Sequence, residues 1–359
     1  MFTQTSSHHS TAVSNYGALR RATRVLFHVF ALVAMLFAFA LPQTAAAQWS
    51  GSDTSAADPY LITSADDLVL LATNVNAGMD YSGEYFRLEN DLDLGVSPYN
   101  AGAGWTPIGN DYSKPFKGAF DGNGKTISGL FINRTADYQG LFGYIDGGMV
   151  KNLGLENVNI KGSDYVGGVA GVVSGGGSLS NCYATGAVSG YNYVGGVAGR
   201  MFSGRISNCA ALNPSVKATG SNVGRVVGGS SGTLSGNIAW SGISTGGGTA
   251  FSGTTTHDGL NGAPKSADEL MASTAFSTFT SPPWTVEDKF LLGLNGSPVE
   301  MPLHILAAAS ASAVQEGNGT EDNPYLIKTP LHLAWLAAKV NAGTDYNGVH
   351  FRLENDLDL

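Results

Sequence analysis

Charge is scarce in this chain. Only 13% of its 359 residues are Asp, Glu, Lys or Arg, and 19 basic side chains face 28 acidic ones, for a net charge of −9. That balance disfavours a nucleic-acid ligand, whose phosphates attract basic surfaces. Mild acidity otherwise implies only a soluble surface. Cysteine is almost missing, with two residues, which excludes a disulfide-dense scaffold. Helical periodicity is rare, and beyond Val25–Leu41 no apolar run could span a bilayer. The histidines His8, His9, His28, His257, His304, His332 and His350 form no His-Glu-x-x-His pair. No Gly-x-Ser-x-Gly elbow or phosphate loop occurs in a strand-to-helix context.

Glycine, by contrast, is abundant at 49 residues, about twice average usage. It is also periodic. Gly140-Leu141-Phe142-Gly143 returns as Gly168-Val169-Ala170-Gly171, as Gly196-Val197-Ala198-Gly199 and, more loosely, as Arg225-Val226-Val227-Gly228. The closing glycines at 143, 171, 199 and 228 are 28, 28 and 29 positions apart. A second landmark follows each: Asn152, Asn181, Asn208 and Asn237. A fixed period of this size means stacked units that cannot bury their apolar faces alone. The units are β-branched, and their Gly and Asn suit corners with positive φ. The expected fold is therefore all-β, a parallel β-helix or solenoid with turns of about 28 residues. The residues two before and one after each Asn are mostly apolar. A straight strand would point them to opposite sides, so the chain should bend at the Asn. Stacked Asn side chains could then bond along the column.

The run Tyr193 to Gly199 followed by Ile206-Ser207-Asn208-Cys209 resembles the GLUG repeat, as does Tyr165 to Gly171 followed by Leu179 to Gly186. With its lead-in the resemblance covers roughly residues 56 to 306. It implies a scaffold of bacterial surface proteins, adhesins and the non-catalytic regions of IgA-specific metallopeptidases. An adhesive or matrix-contacting role comes from that resemblance and not from these residues.

The chain divides as follows. Residues 1–47 read as a secretory signal: Arg20, Arg21 and Arg24, the apolar run Val25–Leu41, then small residues with cleavage after Ala47. Exported and free of a membrane span after cleavage, the mature chain is expected at the cell surface, at the outer membrane or outside the cell. Residues 48–306 form the solenoid module. A helix near 64–77 should cap its open end, with Ser64 and Asp67 as a capping box and Leu68, Leu71, Ala72 and Val75 on one stripe. A short helix is expected at Ser266–Ala272, with Trp284 as a candidate to close the far end. Residues 307–316, Ala-Ser rich at first, read as a linker. Residues 317–359 begin a second copy. Pro59–Leu94 and Pro324–Leu359 agree at 23 of 36 positions with a constant offset of 265. Its helix stripe becomes Leu333, Leu336, Ala337 and Val340, which suggests a tandem array that runs beyond this stretch.

Candidate chemistry is sparse. Glu89, Asp91 and Asp93, repeated as Glu354, Asp356 and Asp358, would be a metal or hydrolytic carboxylate set. Their alternation with Leu favours a solvated strand face. Asp121-Gly122-Asn123-Gly124 reads as a tight turn, with a structural calcium as the weaker option. Cys182 and Cys209, one turn apart, stand within disulfide reach, but their column wants apolar side chains, which favours free thiols. Tyr138, Tyr165, Tyr183, Tyr191 and Tyr193 either form a sugar-binding strip or pack beside glycine. The expectation is a non-enzymatic structural or adhesive repeat protein with no catalytic, cofactor or metal residues. Its partner would be an extracellular glycan or a host or matrix protein. The alternatives are a polysaccharide-acting β-helix enzyme and the scaffold region of a larger surface peptidase.

Overall fold

The computed structural model describes Trp49 and residues 55–272, 284–285, 291–294, 297–311 and 315–357. The expected signal at 1–47 and the side chain of Trp284 lie outside the described residues.

The expected helix forms at Ala65–Ala77. Ser64 Oγ accepts the Asp67 N–H, the Asp67 carboxylate accepts the Ser64 N–H, and Gly78 ends the helix with φ 109°. The left-handed C-cap explains the glycine. Leu68, Leu71, Ala72 and Val75 are all buried. At about 1.5–3 kcal/mol for each large aliphatic removed from water, this face ties the helix down more strongly than its caps do.

Every strand pair between Tyr60 and Lys265 is parallel. The stack starts with Tyr60–Ile62 on Tyr85–Leu88, which lies on Ala119–Asp121, then on Met149–Lys161 and Ser178–Gly190. A second sheet joins Phe142–Asp146, Ala170–Ser174, Ala198–Met201 and Val227–Ser230. A short third joins Val166, Val194 and Val223 with the glycines that follow them. The chain is a parallel β-solenoid. Because Phe142, Ala170, Ala198 and Val227 stand in register, the glycines that follow them stand in one column as well.

The bend sits where expected. Asn152, Asn181 and Asn208 have φ of 55°, 53° and 51°, the left-handed region that Asn tolerates. Asn181 Nδ2 donates to Asn152 Oδ1 at 3.1 Å, and Asn152 Nδ2 donates to Asp121 Oδ1 at 2.9 Å. The fourth landmark is displaced by one position. Ser207 pairs with Ser235 and Ala210 with Ile238, so Gly236 is the fourth corner residue, with φ 66°. Asn237 lies buried one place on, and its side chain donates to Ile206 O and accepts the Cys209 N–H. The apolar column after the corner is therefore Leu153, Cys182 and Cys209, closed by Asn237 and not by Ile238.

Aliphatic columns fill the interior, for example Val150–Leu179–Ile206–Leu234 and Leu155–Ala184–Ala211–Ala239. Near the capped end the filling is aromatic: Phe116 lies 6.1 Å from Phe86 and 5.1 Å from Phe142, and Phe120 lies 5.5 Å from Phe142.

Beyond the stack, Ser266 caps a short helix at Ala267–Leu270. Within the expected linker 307–316, residues 307–311 and 315–316 are described, and Ala309 and Gln315 are buried. Leu303–Ala308 is helical, and Ile305, Leu306 and Ala309 are buried. Ala309 O accepts the Trp335 Nε1–H of the second copy. Small alanines allow close packing as readily as they allow flexibility. The second copy forms its own strand pair, Tyr325–Ile327 on Phe351–Leu353, and a helix at Pro330–Asn341.

Candidate binding face

Besides the Asn bend, a second corner repeats in both sequence and geometry: Asp137-Tyr138, Asp164-Tyr165, Asn192-Tyr193 and Ser221-Asn222. In the first three the leading side chain accepts a backbone N–H from the next turn. Asp137 Oδ1 accepts from Asp164 at 3.0 Å, Asp164 Oδ1 from Asn192 at 3.2 Å and Asn192 Oδ1 from Ser221 at 2.8 Å. The trailing residues Tyr138, Tyr165, Tyr193 and Asn222 all have positive φ, between 53° and 60°. This bonding fixes the corner, and the corner aims the rings. Tyr138 and Tyr165 stack with centroids 5.4 Å apart and planes 6° apart, and Tyr165 and Tyr193 at 5.2 Å and 11°. Both distances are close to the strand spacing that sets them. The Arg200 guanidinium lies 4.9 Å from the Tyr193 ring and 5.1 Å from Phe202, which is exposed.

Of the two sequence readings of these tyrosines, Tyr138, Tyr165 and Tyr193 meet the packing one. They pack beside the glycine column, since a Cβ on Gly171 would come within 2.8 Å of Tyr138 Cα. They also form a half-exposed strip. Their faces are turned toward one another, so the strip offers solvent its ring edges, with few free platforms for a sugar ring. Burial raises the Tyr138 and Tyr165 phenols above their usual value, and the neighbouring Tyr165 and Tyr193 phenols add to this. The hydroxyls therefore stay protonated, and able to donate, through the neutral range.

Tyr183 and Tyr191 are elsewhere. Tyr191 is exposed and outside the stack of rings. Tyr183 is fully buried and donates its hydroxyl to Glu156 Oε1 at 2.8 Å. Burial raises the Glu156 carboxyl, and the bond from Tyr183 works against that. Gly154, in register with Tyr183 on the adjacent turn, leaves the space: a Cβ there would meet the ring at 2.5 Å. The sequence reading missed this pair, and it missed the Asp137–Asp164–Asn192 ladder and Arg200. An Asp or Asn before each of the three tyrosines was the available signal for the ladder.

The other candidates occupy local structural positions. Leu92 and Leu94 point inward and Asp91 and Asp93 outward. Glu89 pairs with Arg87 at 2.6 Å, Asp91 accepts the Thr126 N–H, and Asp93 accepts the Gly95 N–H. Glu354 pairs with Arg352, Asp356 is exposed, and Asp358 lies outside the described residues. Asp121 Oδ1 accepts from Asn123 and Asn152, and Oδ2 pairs with Lys151 at 3.2 Å. Cys182 and Cys209 are buried free thiols that donate to Ser180 O and Ser207 O. Burial raises the Cys182 thiol well above its usual value, and the Cys209 thiol beside it raises it further. His304 Nε2 lies 2.9 Å from Leu212 O, and burial lowers its basicity. Among the described residues no three His, Cys, Asp or Glu stand together as a metal-ligand group.

A recess lies between the capping helix and the segment 98–110. It encloses about 570 Å³ and is lined by Val69, Thr73, Asn76, Tyr99, Trp105 and Thr106 among others. Asn76 in this lining is held by the chain opposite. Its side chain donates to Pro107 O at 3.0 Å and accepts the Gly109 and Asn110 N–H groups at 3.0 and 2.9 Å.

Comparison with known proteins adds the following. Residues 162–189 match the model of the GLUG motif. The chain is 38% identical over 135 residues to halomucin of Haloquadratum walsbyi, a match covering 36% of this chain and 1% of halomucin. It is 41% identical over 111 residues to a protein of Evansella cellulosilytica provisionally named a Gly-rich membrane protein, covering 30% of this chain and 12% of that one. The chain thus spans a small part of both relatives. A solved structure from Bacteroides ovatus, provisionally described as an immunoglobulin A1 protease, aligns over 69% of this chain and 94% of its own at 21% identity and a TM-score of 0.44. No described helix is long and apolar enough to cross a membrane. Residues 162–189, which carry the Asp164-Tyr165 corner and the Asn181 bend, are a GLUG motif, and the turns on either side repeat its geometry.

Proposed function

We propose that this chain is an exported, non-enzymatic β-solenoid module displayed at a cell surface, and that its tyrosine corner contacts an extracellular glycan or matrix protein. The observation that carries the reading is the ring stack Tyr138–Tyr165–Tyr193, repeated once per turn and flanked by Arg200. A stiff stack that repeats one contact along its axis gains avidity for a repeated ligand. Edge-on rings and protonated hydroxyls suit hydrogen bonding to sugar hydroxyls or peptide carbonyls. The names of the two relatives, a halomucin and a membrane protein, support a surface location.

The test is binding of the whole chain to immobilised glycans and matrix proteins. The control variant replaces Tyr138, Tyr165 and Tyr193 by Asn, the residue that already holds the corresponding corner at Asn222. The expected result is a folded protein that has lost binding. Unchanged binding by the triple variant would reject the corner as the contact. Release of product from any polysaccharide would reject the non-enzymatic reading.

A further inference from the structure

We infer that the exposed end of the second copy is a docking face for one further parallel β-rung with the sequence pattern of Trp105–Asp121. The inference concerns assembly and is independent of the function proposed above. The first copy shows what such a face holds. There the strand Tyr85–Leu88 receives Ala119–Asp121 in parallel register, Tyr85 opposite Ala119, Phe86 opposite Phe120 and Arg87 opposite Asp121. Asn76 grips the approaching chain by three backbone groups at Pro107, Gly109 and Asn110. Asp80 pairs with Lys117 at 3.1 Å just before the strand begins.

All three receiving elements recur in the second copy, and all three are open. Asn341 and Asp345, in the places of Asn76 and Asp80, are exposed. Among the described strands, Phe351–Leu353 pairs only with Tyr325–Ile327, which leaves its other edge unpaired. Val340 and Leu353 are 53% and 62% exposed, whereas Val75 and Leu88, their counterparts, are fully buried. An unpaired edge beside exposed aliphatics is a template for another strand. The identical Asn and Asp specify which one: a rung with a backbone bend for Asn341, a cation for Asp345 and an aromatic opposite Phe351.

The experiment appends residues 95–133 of this chain directly after Leu359, which reproduces the Leu94–Gly95 junction, and compares it with a scrambled segment of the same composition. Amide exchange at Phe351 and Leu353, whose N–H groups face the open edge, should slow by about 100-fold or more with the native segment and not with the scrambled one. Asn341→Ala in the extended protein should reverse much of that protection, and in the original chain it should change nothing. Equal exchange in the native and scrambled extensions would overturn the inference. So would concentration-dependent dimerisation of the original chain abolished by Leu353→Asp, which would make a second copy the occupant.

Discussion

The first copy, Pro59–Leu94, and the second, Pro324–Leu357 as far as it is described, share most of their sequence and differ in what covers them. Both form a short parallel strand pair, Tyr60 opposite Phe86 in one and Tyr325 opposite Phe351 in the other. Both form a side-chain-capped helix between the strands. Local structure is thus written in the copy itself. Burial is supplied from outside, by the next rung. Val75 and Leu88 are sealed, while Val340 and Leu353 face solvent. This is the one-dimensional logic of a solenoid, in which each unit depends on its neighbours alone. The copies also differ in how they fill a shared aromatic cluster. Trp49 lies 5.0 Å from Tyr60 and 5.8 Å from Tyr81 in the first. In the second, Trp335, from the helix position of Leu70, lies 6.4 and 6.0 Å from the equivalent Tyr325 and Tyr346.

The comparison breaks most visibly at the helix stripe. Leu71 is fully buried, so Leu71→Ala should cost about 2–5 kcal/mol of unfolding free energy, read from a urea titration. Leu336, its counterpart, is only half-buried, and Leu336→Ala should cost less than about 1 kcal/mol. Equal costs would mean that the second helix is packed as tightly as the first. Next in size is Trp335→Leu, which installs the residue of the first copy without its Trp49. Trp335 is fully buried and bonded to Ala309 O, so the change should destabilise the second copy by about 2 kcal/mol. Amide exchange at Tyr325–Ile327 reports it. No effect there would mean that the two tryptophans do not play equivalent parts.

A smaller difference lies at the helix caps. In the first copy Asp67 Oδ2 accepts from the N–H and hydroxyl of both Thr63 and Ser64. In the second, His332 takes that place, and its Nδ1 lies 2.9 Å from Leu326 O and 3.2 Å from the Lys328 nitrogen. Burial pushes the Asp67 carboxyl up, but the bonds from Thr63 and Ser64 outweigh it and hold it below its ordinary value. A carboxyl with a lowered folded pKa stabilises above its unfolded pKa, and that contribution is lost as pH falls through the folded value. Asp67→Ala should therefore cost about 1 kcal/mol at neutral pH. The gap between variant and parent should close as the solution is acidified below the ordinary carboxylate range. A gap independent of pH would show that the carboxylate charge is not what holds the cap.

Legibility followed the same division between local and neighbour-supplied structure. The period, the helix with its capping box and the Asn corners could be read because each depends on residues close in sequence, or on the φ > 0 that Asn and Gly tolerate. Failures came where a neighbour decided. The fourth corner was assigned to Asn237 because Asn marks the other three, yet Gly236 serves there and Asn237 turns inward to bond Cys209. Tyr183 looked like its surface namesakes, but Gly154 on the adjacent turn opens a cavity for it. The alanines of 307–311 suggest a linker, yet Ala309 O accepts the Trp335 Nε1–H and the Ser310 N–H donates to Asp268 Oδ1. The tyrosine stack was legible as a list of residues. Its edge-on orientation was not, because it follows from the Asp137–Asp164–Asn192 bonds between turns.

The smallest change of structure, a methyl for a hydroxyl, gives the sharpest test. Val→Thr keeps the side-chain shape and exchanges a methyl for a hydroxyl. At Val75, sealed beneath the next rung, the hydroxyl would lose water and cost about 1–3 kcal/mol unless it found a partner. At Val340, half open to solvent, the same change should fall within about 0.5 kcal/mol of zero. The two positions are identical in sequence and in helix register, so neither propensity nor capping can separate them. Only the presence of a covering rung can. In the protein extended by residues 95–133, Val340→Thr should accordingly become as costly as Val75→Thr. If it stays neutral there, the exposed end does not accept a rung in the way the first copy does.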